Sequence, residues 1–226
     1  DTSIAKTAIK LFSALGFEVK QAPIEESGRM AISKGMVKRA KRLAERNVGI
    51  LRELISEQTP LVGIEPSTTL SFRDEYPDLL GEDISSLSQN VFLFDEFIAK
   101  QADLGVITPE LFTDEKQHIL LHGHCQQKAL TGTEFMERML CIPTNYSVEV
   151  IPSGCCGMAG SYGYEKRHYE MSKTIANSVL IPAIEKAAAD TIIAAPGTSC
   201  REQIKHFSSR TALHPIEILY NALKEK

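Results

Sequence analysis

The sequence Ile151-Pro-Ser-Gly-Cys-Cys-Gly-Met-Ala-Gly160 places two adjacent cysteines among three glycines. Residues 146–151 alternate in polarity in the way that is typical of a β-strand, so a short strand is expected to deliver this loop. Glycines at 154, 157 and 160 permit positive φ and close approach of the backbone. Adjacent cysteines bond each other only if the peptide between them distorts. The sequence of this loop therefore predicts that both cysteine sulfurs face one bound group.

Two further cysteines stand in matching positions. Cys125 follows the strand-like residues 118–122, and Cys200 follows the strand-like residues 191–195. Each precedes or opens a helical run, and the carboxyl ends of parallel strands meet at one edge of a sheet. Cys125, Cys155, Cys156 and Cys200 are therefore expected to converge. Cys141 lies between a helix and Pro143, which indicates a packing residue outside the site.

Alternating strands and helices predict an α/β fold with two similar doubly wound parallel-sheet halves. Ser27-Gly28 matches Cys156-Gly157, and Pro66 matches Pro196, both at an offset of about 130 residues, which indicates internal duplication. Residues 1–105 then form a first, degenerate repeat, and residues 106–226 form a second repeat that carries the cysteines. The first repeat lacks its opening strand, so that strand is expected upstream of Asp1.

The hydrophobic patterns predict the individual elements. Helices are predicted over 2–15, 36–56, 71–76 (ended by Pro77), 92–100, 127–140, 163–188 (interrupted at Pro182) and 215–223. Strands are predicted over 17–21, 61–64, 118–122, 146–151, 191–195 and 211–214.

Composition excludes several classes of protein. The 226 residues are 43% hydrophobic, carry a net charge of −4 and contain no basic block, which argues against a nucleic-acid partner. No apolar run reaches the roughly 20 residues of a membrane span. Five cysteines in a reducing, cytoplasmic setting indicate metal or redox ligands rather than disulfides. No glycine-rich phosphate loop appears, so the chain itself is expected to bind neither NAD nor FAD.

The residues around the thiols indicate metal chemistry. Ser199-Cys-Arg-Glu202 has the pattern of a capping box with Ser199 as the cap, which would place Cys200 in a first helical turn, where the helix dipole favours the thiolate. Four thiolates beside glycine-flanked amides suit an iron–sulfur cluster or a four-sulfur zinc site. The cysteines are too far apart in sequence for ferredoxin or zinc-finger patterns, so the fold must assemble the site.

Three blocks resemble the motifs of the cysteine-rich CCG domain. They are His122-Gly-His-Cys-Gln-Gln-Lys-Ala-Leu130, Gly154-Cys-Cys-Gly-Met-Ala-Gly160 and Pro196-Gly-Thr-Ser-Cys-Arg-Glu-Gln203. That domain occurs in the cysteine-rich subunit of heterodisulfide reductase, in the iron–sulfur subunits of glycolate and lactate oxidation systems, and as the C-terminal part of FAD-linked oxidases. Segments 26–29, 32–35, 65–67 and 73–76 resemble the last group most closely.

The resemblance implies an electron-transfer domain of an FAD-linked oxidoreductase that acts on a 2-hydroxy acid such as lactate or glycolate. It implies an iron–sulfur cluster of [4Fe-4S] type, with the four converging cysteines as ligands and His124, Gly157 and Gly197 beside the cofactor. FAD would lie on a partner, which is a flavin-binding dehydrogenase domain or subunit. A ferredoxin-like domain is a further expected partner. The expected location is cytoplasmic, or at the inner face of the membrane through partners, and the chain alone is expected to be inactive.

The sequence departs from the CCG pattern at two places. Gly197 stands where the family motif has the first cysteine of a Cys-x-x-Cys pair. In the first repeat, Glu26-Ser27 replaces the paired cysteines, and Thr68 stands where relatives often have cysteine, so that half is expected to hold no cluster.

Alternative interpretations remain open from the residues alone. The same thiols could hold zinc in a structural or interaction module without redox activity, or they could be reduced, buried thiols that bind no metal. His122 and His124 flank Cys125, and each is either a metal ligand, a donor to sulfur or a satisfied structural histidine. Arg201 and Arg29 either bind carboxylates or lie solvated at the surface. A Cys125–His124 nucleophile is disfavoured because neighbours in sequence rarely point together.

Overall fold

A computed structural model describes residues 2–81 and 83–224 of the chain. Helices and short parallel strands make up its regular structure, which confirms the α/β class. The chain divides into two compact units. The larger unit comprises the described residues up to Val19 and those from Ile98 onward, and the smaller unit is Lys20–Phe97. The internal duplication and the division at residue 105 stay predictions, and the strand expected upstream of Asp1 lies outside the described residues.

The elements are as follows in chain order. The helices are α1 (Thr2–Ala14), α2 (Arg29–Ser33), α3 (Val37–Leu51), α4 (Pro66–Ser71), α5 (Glu75–Leu80), α6 (Ser85–Ser88), α7 (Phe94–Asp103), α8 (Cys125–Leu130), α9 (Glu134–Leu140), α10 (Tyr169–Ser178), α11 (Leu180–Lys186), α12 (Thr198–Phe207) and α13 (Pro215–Asn221). The strands are β1 (Leu61–Gly63), β2 (Val91–Leu93), β3 (Gln117–Leu121), β4 (Tyr146–Val150) and β5 (Ile192–Ala194). Single 3₁₀ turns cover Pro109–Leu111, Tyr162–Tyr164 and Lys166–His168.

The larger unit is built on a three-stranded parallel sheet in the order β4-β3-β5. Ile119 of β3 lies opposite Val148 on one side and Ile192 on the other. The core beside this sheet combines aliphatic side chains of the strands and of α11 and α12 with sulfur-bearing side chains. Its buried members include Leu120, Ile151, Leu180, Ile184, Ile193, Ile204, Cys156, Met158 and Cys200. The three strands end at one edge of the sheet, and a cysteine-bearing loop or helix start follows each of them.

The smaller unit contains a two-stranded parallel sheet, with Leu61 of β1 opposite Val91 of β2. Helix α3 contributes an apolar face, because residues at helical spacing from Ala40 to Leu51 are buried. Val37, at the first position of the helix, is 58% exposed. The core is completed by aromatic and aliphatic side chains of the later elements: Phe72, Tyr76, Ile84, Leu87 and Val91.

Three predicted elements in the first part of the chain are wrong. Residues 17–21 form no strand. Val19 is 39% exposed, so the alternation of polar and apolar residues in this segment does not correspond to a buried face. The helix predicted over 71–76 is instead the junction between α4 and α5. Pro77 lies in the first turn of α5, where a missing N–H breaks no intrahelical bond. Residues 91–93 form β2 rather than the start of a helix, since a short apolar run does not distinguish the two structures.

The long helices predicted in the second part are divided. The helix predicted over 127–140 breaks into α8 and α9 at Gly132, whose φ of +75° lies in the left-handed region. The interruption predicted near Pro182 is confirmed, because α10 and α11 separate at Val179. Residues 211–214 form only an isolated bridge, between Leu213 and Ala194. None of the helices in residues 2–81 and 83–224 combines the length and the apolar character that a membrane span requires.

Candidate metal centre

The carboxyl edge of the three-stranded sheet brings the four predicted cysteines together. Cys125 is the first residue of α8, Cys155 and Cys156 lie in the loop after β4, and Cys200 is the third residue of α12. Cys156 and Cys200 are buried, whereas Cys125 and Cys155 are half-buried. Cys141 lies apart at the end of α9 and is exposed, so its predicted packing role is wrong.

The four thiols influence one another pairwise in the order Cys125, Cys155, Cys156, Cys200. The interaction with Cys155, together with burial, raises the pKa of Cys125, and the same interaction lowers the pKa of Cys155. Cys156 interacts with both Cys155 and Cys200, which raises its own pKa, and its interaction with Cys200 lowers the pKa of that buried thiol. Each sulfur therefore lies near the next, and those of Cys156 and Cys200 lie within 4.8 Å of each other.

Backbone amides also point at the sulfurs. The N–H of Gly157 donates to Cys155 Sγ at 3.3 Å, and this bond and a further one from the Ala159 amide lower the pKa of Cys155. A hydrogen bond to a thiolate stabilises its charged form. Gly157 has a left-handed backbone, with φ of +102°. Gly160 also has positive φ, as predicted, but Gly154 does not.

Helix α12 begins earlier than the sequence indicated. Its N-cap is Gly197, which has extended backbone, and Thr198 is already helical. Ser199 therefore lies inside the first turn, and the prediction that it caps the helix is wrong, because a cap residue must stand outside the helix. Cys200 nevertheless lies in the first turn, as expected.

Gly197 and His124 are in close contact. A Cβ atom on residue 197 would lie 2.5 Å from His124 Cδ2 and 3.2 Å from Cys200 Sγ. His124 is the N-cap of α8, and its Nδ1 accepts a hydrogen bond from the amide of Gln126 at 3.3 Å. The pKa of Cys200, which Cys156 lowers most, is lowered further by His122 and then by His124. Both residues thus border the cysteines, as the sequence predicted, and their roles toward a cofactor stay predictions.

His122 lies at the end of β3, fully buried. Its Nδ1 is 2.8 Å from Ser153 Oγ, while its Nε2 is buried and makes no hydrogen bond of normal geometry within the part of the chain that the structure describes. His122 nevertheless interacts with the Cys200 thiol and lowers its pKa. One ring nitrogen of His122 and the sulfurs of Cys156 and Cys200 all lie within 4.8 Å of one another.

Lys128 is a site residue that the sequence analysis missed. Its Nζ donates to the carbonyl oxygen of Ser153 and, at 2.8 Å, to that of Gly154. Burial lowers the pKa of Lys128, and the negative charges of the four cysteines act in the opposite direction. Lys128 follows Cys125 by three positions, which places both on one face of α8. That spacing is the signal that could have identified it.

The two arginines considered in the sequence have local partners. Arg201 Nη1 donates to the carbonyl oxygens of Ala195 at 3.1 Å and Pro196 at 2.7 Å, so it braces the loop after β5. Arg29 belongs to the smaller unit and pairs with Glu75 at 2.5 Å.

The donors at the carboxyl edge fit a metal group. Thiolate sulfur and imidazole nitrogen are the ligands that iron–sulfur clusters and zinc take in proteins. A buried nitrogen without a hydrogen bond of normal geometry and an amide that donates to sulfur are the features expected where such a group is held. The set offers four sulfurs, from Cys125, Cys155, Cys156 and Cys200, and the Nε2 atom of His122.

Comparison with known proteins finds similarity to longer dehydrogenases. The chain is 28% identical to D-2-hydroxyglutarate dehydrogenase of Escherichia coli (strain K12) over 225 residues, which cover 99% of this chain. It is 31% identical to D-2-hydroxyglutarate dehydrogenase of Pantoea ananatis (strain AJ13355) over 215 residues, or 93% of this chain. It is also 29% identical to a subunit of the anaerobic glycerol-3-phosphate dehydrogenase of Escherichia coli (strain K12) over 222 residues, or 97% of this chain.

The similarity covers only part of each relative. The chain spans 21% and 20% of the length of the two D-2-hydroxyglutarate dehydrogenases and 55% of the length of the glycerol-3-phosphate dehydrogenase subunit. No family model matches the chain, so the resemblance to the CCG domain stays a prediction. Nearly the whole chain is thus similar to one segment of larger proteins that are dehydrogenases, or part of one, by name.

Proposed function

We propose that this chain is the iron–sulfur electron-transfer segment of an FAD-linked oxidoreductase that acts on a 2-hydroxy acid. The observation that carries the proposal is the convergence of four thiols, from three loops distant in sequence, at one edge of a parallel sheet. The similarity to two D-2-hydroxyglutarate dehydrogenases supports the substrate class, because 2-hydroxyglutarate is itself a 2-hydroxy acid. The similarity to a subunit of a glycerol-3-phosphate dehydrogenase supports a role beside other domains or subunits.

The residues of this chain would bind and tune the cluster. When bound, a [4Fe-4S]-type cluster supplies a carrier for single electrons. Cys125, Cys155, Cys156 and Cys200 lose their thiol protons on binding and serve as its ligands. The Gly157 amide and the Lys128 ammonium reduce the negative charge that the thiolates accumulate. The apolar side chains around Cys156 and Cys200 keep water from the buried side of the site.

The partners follow from the same proposal. Oxidation of a 2-hydroxy acid to the 2-oxo acid releases two electrons and two protons, which requires a two-electron acceptor. We assign that acceptor to FAD on a flavin-binding dehydrogenase domain or subunit, and the next carrier to a ferredoxin-like domain. The location proposed for the assembly is the cytoplasm or, through partners, the inner face of the membrane.

A zinc site is the second candidate. The ring nitrogen of His122 and the sulfurs of Cys156 and Cys200, all within 4.8 Å of one another, form a donor set that zinc also accepts. In that case the segment would be a structural or interaction module without redox activity.

Anaerobic purification and reconstitution with iron and sulfide separate the two candidates. We expect uptake of both iron and sulfide, a broad visible absorbance that fades on reduction, and an EPR signal from the reduced protein. Cys156→Ser should abolish uptake, whereas Cys141→Ser, which changes an exposed thiol outside the cluster, should leave uptake unchanged. Circular dichroism checks that both variants fold. A wild-type protein that takes up zinc and no iron, or equal losses in both variants, would overturn the proposal.

A further inference from the structure

We propose that His122 is a ligand of the same metal centre and binds through Nε2. This inference rests on the proposed function for the presence of a metal group, but it concerns a residue outside the four cysteines. It assigns to the site a fifth donor, a neutral nitrogen beside the sulfurs.

The position of His122 is unusual for a histidine that only packs. Its side chain is fully buried at the end of β3. Buried polar atoms are nearly always hydrogen-bonded, and leaving one unpaired costs about 1–3 kcal/mol. Within residues 2–81 and 83–224, Nε2 of His122 nevertheless makes no hydrogen bond of normal geometry, although the ring interacts with the Cys200 thiol. A bound metal group would satisfy this nitrogen.

The other ring nitrogen fixes the tautomer that ligation requires. Nδ1 lies 2.8 Å from Ser153 Oγ, and Ser153 is itself buried in the cysteine loop. If Nδ1 carries the proton and donates to the hydroxyl, Nε2 keeps its lone pair. Histidines that bind metals characteristically donate the second ring N–H to a fixed acceptor, which holds both the tautomer and the ring orientation.

The free nitrogen faces the sulfurs. A ring nitrogen of His122 lies within 4.8 Å of the sulfurs of Cys156 and Cys200, and Nδ1 is already engaged by Ser153. Nε2 is therefore the atom available to a metal between the three side chains. The Nδ1 atom of His124, by contrast, caps α8, which makes that residue part of the local helix structure.

A nitrogen ligand would change the chemistry of the centre. An imidazole is neutral where a thiolate is negative, so an iron–sulfur centre with histidine at a ligand position has a higher reduction potential than one with cysteine at that position. His122 would thus set the potential as well as hold the metal. Its exchange for cysteine should retain the centre and shift its midpoint potential to more negative values.

The decisive experiment labels the histidines with ¹⁵N and measures nitrogen coupling to the reduced, reconstituted centre by pulsed EPR. Wild type should show one strongly coupled histidine nitrogen, and His122→Ala should lose it. The matched control is His118→Ala, which removes an exposed histidine from the same strand and should retain the coupling. His122→Cys should lose the nitrogen coupling, retain iron and shift the midpoint potential of the centre to more negative values. A wild-type centre without strong nitrogen coupling would overturn the inference and leave the proposed function intact.

Cobalt(II) titration tests the same ligand without an iron–sulfur cluster. Co²⁺ bound by thiolate and imidazole has characteristic visible absorption, and His122→Ala should weaken Co²⁺ binding by at least about tenfold, with a changed spectrum. His118→Ala should bind as the wild type does. In one outcome no cluster assembles, but His122→Ala still weakens Co²⁺ binding and changes the spectrum. That result would contradict the proposed function and leave the ligand inference intact. Equal Co²⁺ affinity and spectra for wild type and His122→Ala would count against the ligand.

Discussion

Gly197 and the His124 ring share a tight contact beside the cysteines. The φ of Gly197 is −79°, which any residue can adopt, so the need for glycine here is steric. A Cβ atom at this position would lie 2.5 Å from a ring carbon of His124. The ring cannot move freely, because its Nδ1 accepts the Gln126 amide that begins α8. A glycine thus lets the loop after β5 approach the start of α8.

Gly197→Ala should destabilise the protein by about 1–3 kcal/mol, since it overpacks a filled site. Urea unfolding of the metal-free protein measures the change. In a His124→Ala background the ring is absent, so Gly197→Ala should reduce the free energy of unfolding much less. The double-mutant cycle should therefore show a favourable coupling energy between the two substitutions. If the effects of the two substitutions on the free energy of unfolding are additive, the contact with His124 is not the reason that residue 197 must be glycine.

Lys128 ties the cysteine loop to α8. Its ammonium group donates to two consecutive carbonyl oxygens, those of Ser153 and Gly154, directly before Cys155. Gly123 makes room for this arrangement, because a Cβ atom there would lie 3.3 Å from the Lys128 side chain and 2.5 Å from Thr133. The lysine therefore positions the sulfurs as well as offsetting their charge.

Lys128→Met keeps the aliphatic stem and removes the donor. We expect a loss of about 1–3 kcal/mol in the free energy of unfolding, the usual effect of removing a charged hydrogen-bond donor. Faster hydrogen exchange of the amides of residues 154–158 should accompany it. Lys173→Met, at an exposed position on α10, is the control and should change neither quantity. Unchanged exchange in the Lys128 variant would contradict the positioning role.

The sequence identified the cysteines better than their neighbours. Spacing and strand ends predicted that Cys125, Cys155, Cys156 and Cys200 would meet, because parallel strands deliver their ends to one edge. The spacing from Cys125 indicates only that Lys128 shares a face of α8 with it. The contacts of Lys128 with the cysteine loop and the pairing of His122 with Ser153 join segments distant in sequence. Their discovery required the fold.

The cysteine loop after β4 depends on one glycine more than on the others. Gly157 has φ of +102°, and a Cβ atom there would lie 2.3 Å from the backbone oxygen of Ser172 and 2.9 Å from Gln203 Nε2. Gln203 is fixed in turn, because Nε2 donates to the Ser172 hydroxyl at 2.9 Å. Gly154 has neither positive φ nor an atom within 4 Å of a built Cβ. The loop thus requires glycine at position 157 but can accept a side chain at position 154.

Gly157→Ala should therefore destabilise the protein by at least about 1–3 kcal/mol through backbone strain, with the steric clash in addition. It should also displace the loop and reduce metal uptake. Gly154→Ala should lie within about 0.5 kcal/mol of the wild type, as surface substitutions usually do. Thermal or urea unfolding of the two variants gives the comparison, and similar stabilities would show that the loop tolerates a side chain at 157.

At the level of elements, the periodicity of apolar residues located the amphipathic helices well. It failed where the backbone conformation of a turn determines the end of a helix. The amphipathic patterns of α1, α3 and α13 predicted those helices within a few residues, apart from the last turn assigned to α3. The break at Gly132 was missed because glycine inside a helical pattern does not reveal whether it adopts left-handed φ. Strand β2 was missed because three apolar residues also fit the start of α7.

At the scale of the whole molecule, the predicted repeat matches positions at which the two units make different contacts. Ser27, which the repeat matches with Cys156, accepts at its carbonyl a hydrogen bond from the Tyr76 hydroxyl at 2.9 Å. Asn47 donates to the same hydroxyl at 3.0 Å and to the Glu26 carbonyl at 3.1 Å. Gly28 and Gly157, the matched glycines, both have positive φ. The internal duplication, and the expectation that the first half holds no cluster, stay predictions.

The buried network gives the smaller unit a distinctive response to high pH. Tyr76 is fully buried, and burial is the main cause that raises its pKa above the ordinary value of 10.0. The folded chain therefore holds the phenol proton more tightly than the unfolded chain does. The stability that this provides is complete below about pH 10 and declines as pH rises further, since the unfolded chain ionises first.

Tyr76→Phe should remove this dependence. At pH 8 the variant should be less stable by about 1–3 kcal/mol, because Asn47 and the Ser27 carbonyl each lose a partner in the core. Between pH 9 and about pH 11, its free energy of unfolding should fall less steeply than that of the wild type. Tyr164→Phe, at a position 64% exposed, should keep the wild-type slope. Urea unfolding across this range measures the slopes, and equal slopes for the wild type and Tyr76→Phe would show that the phenol ionises as readily in the folded chain as in the unfolded one.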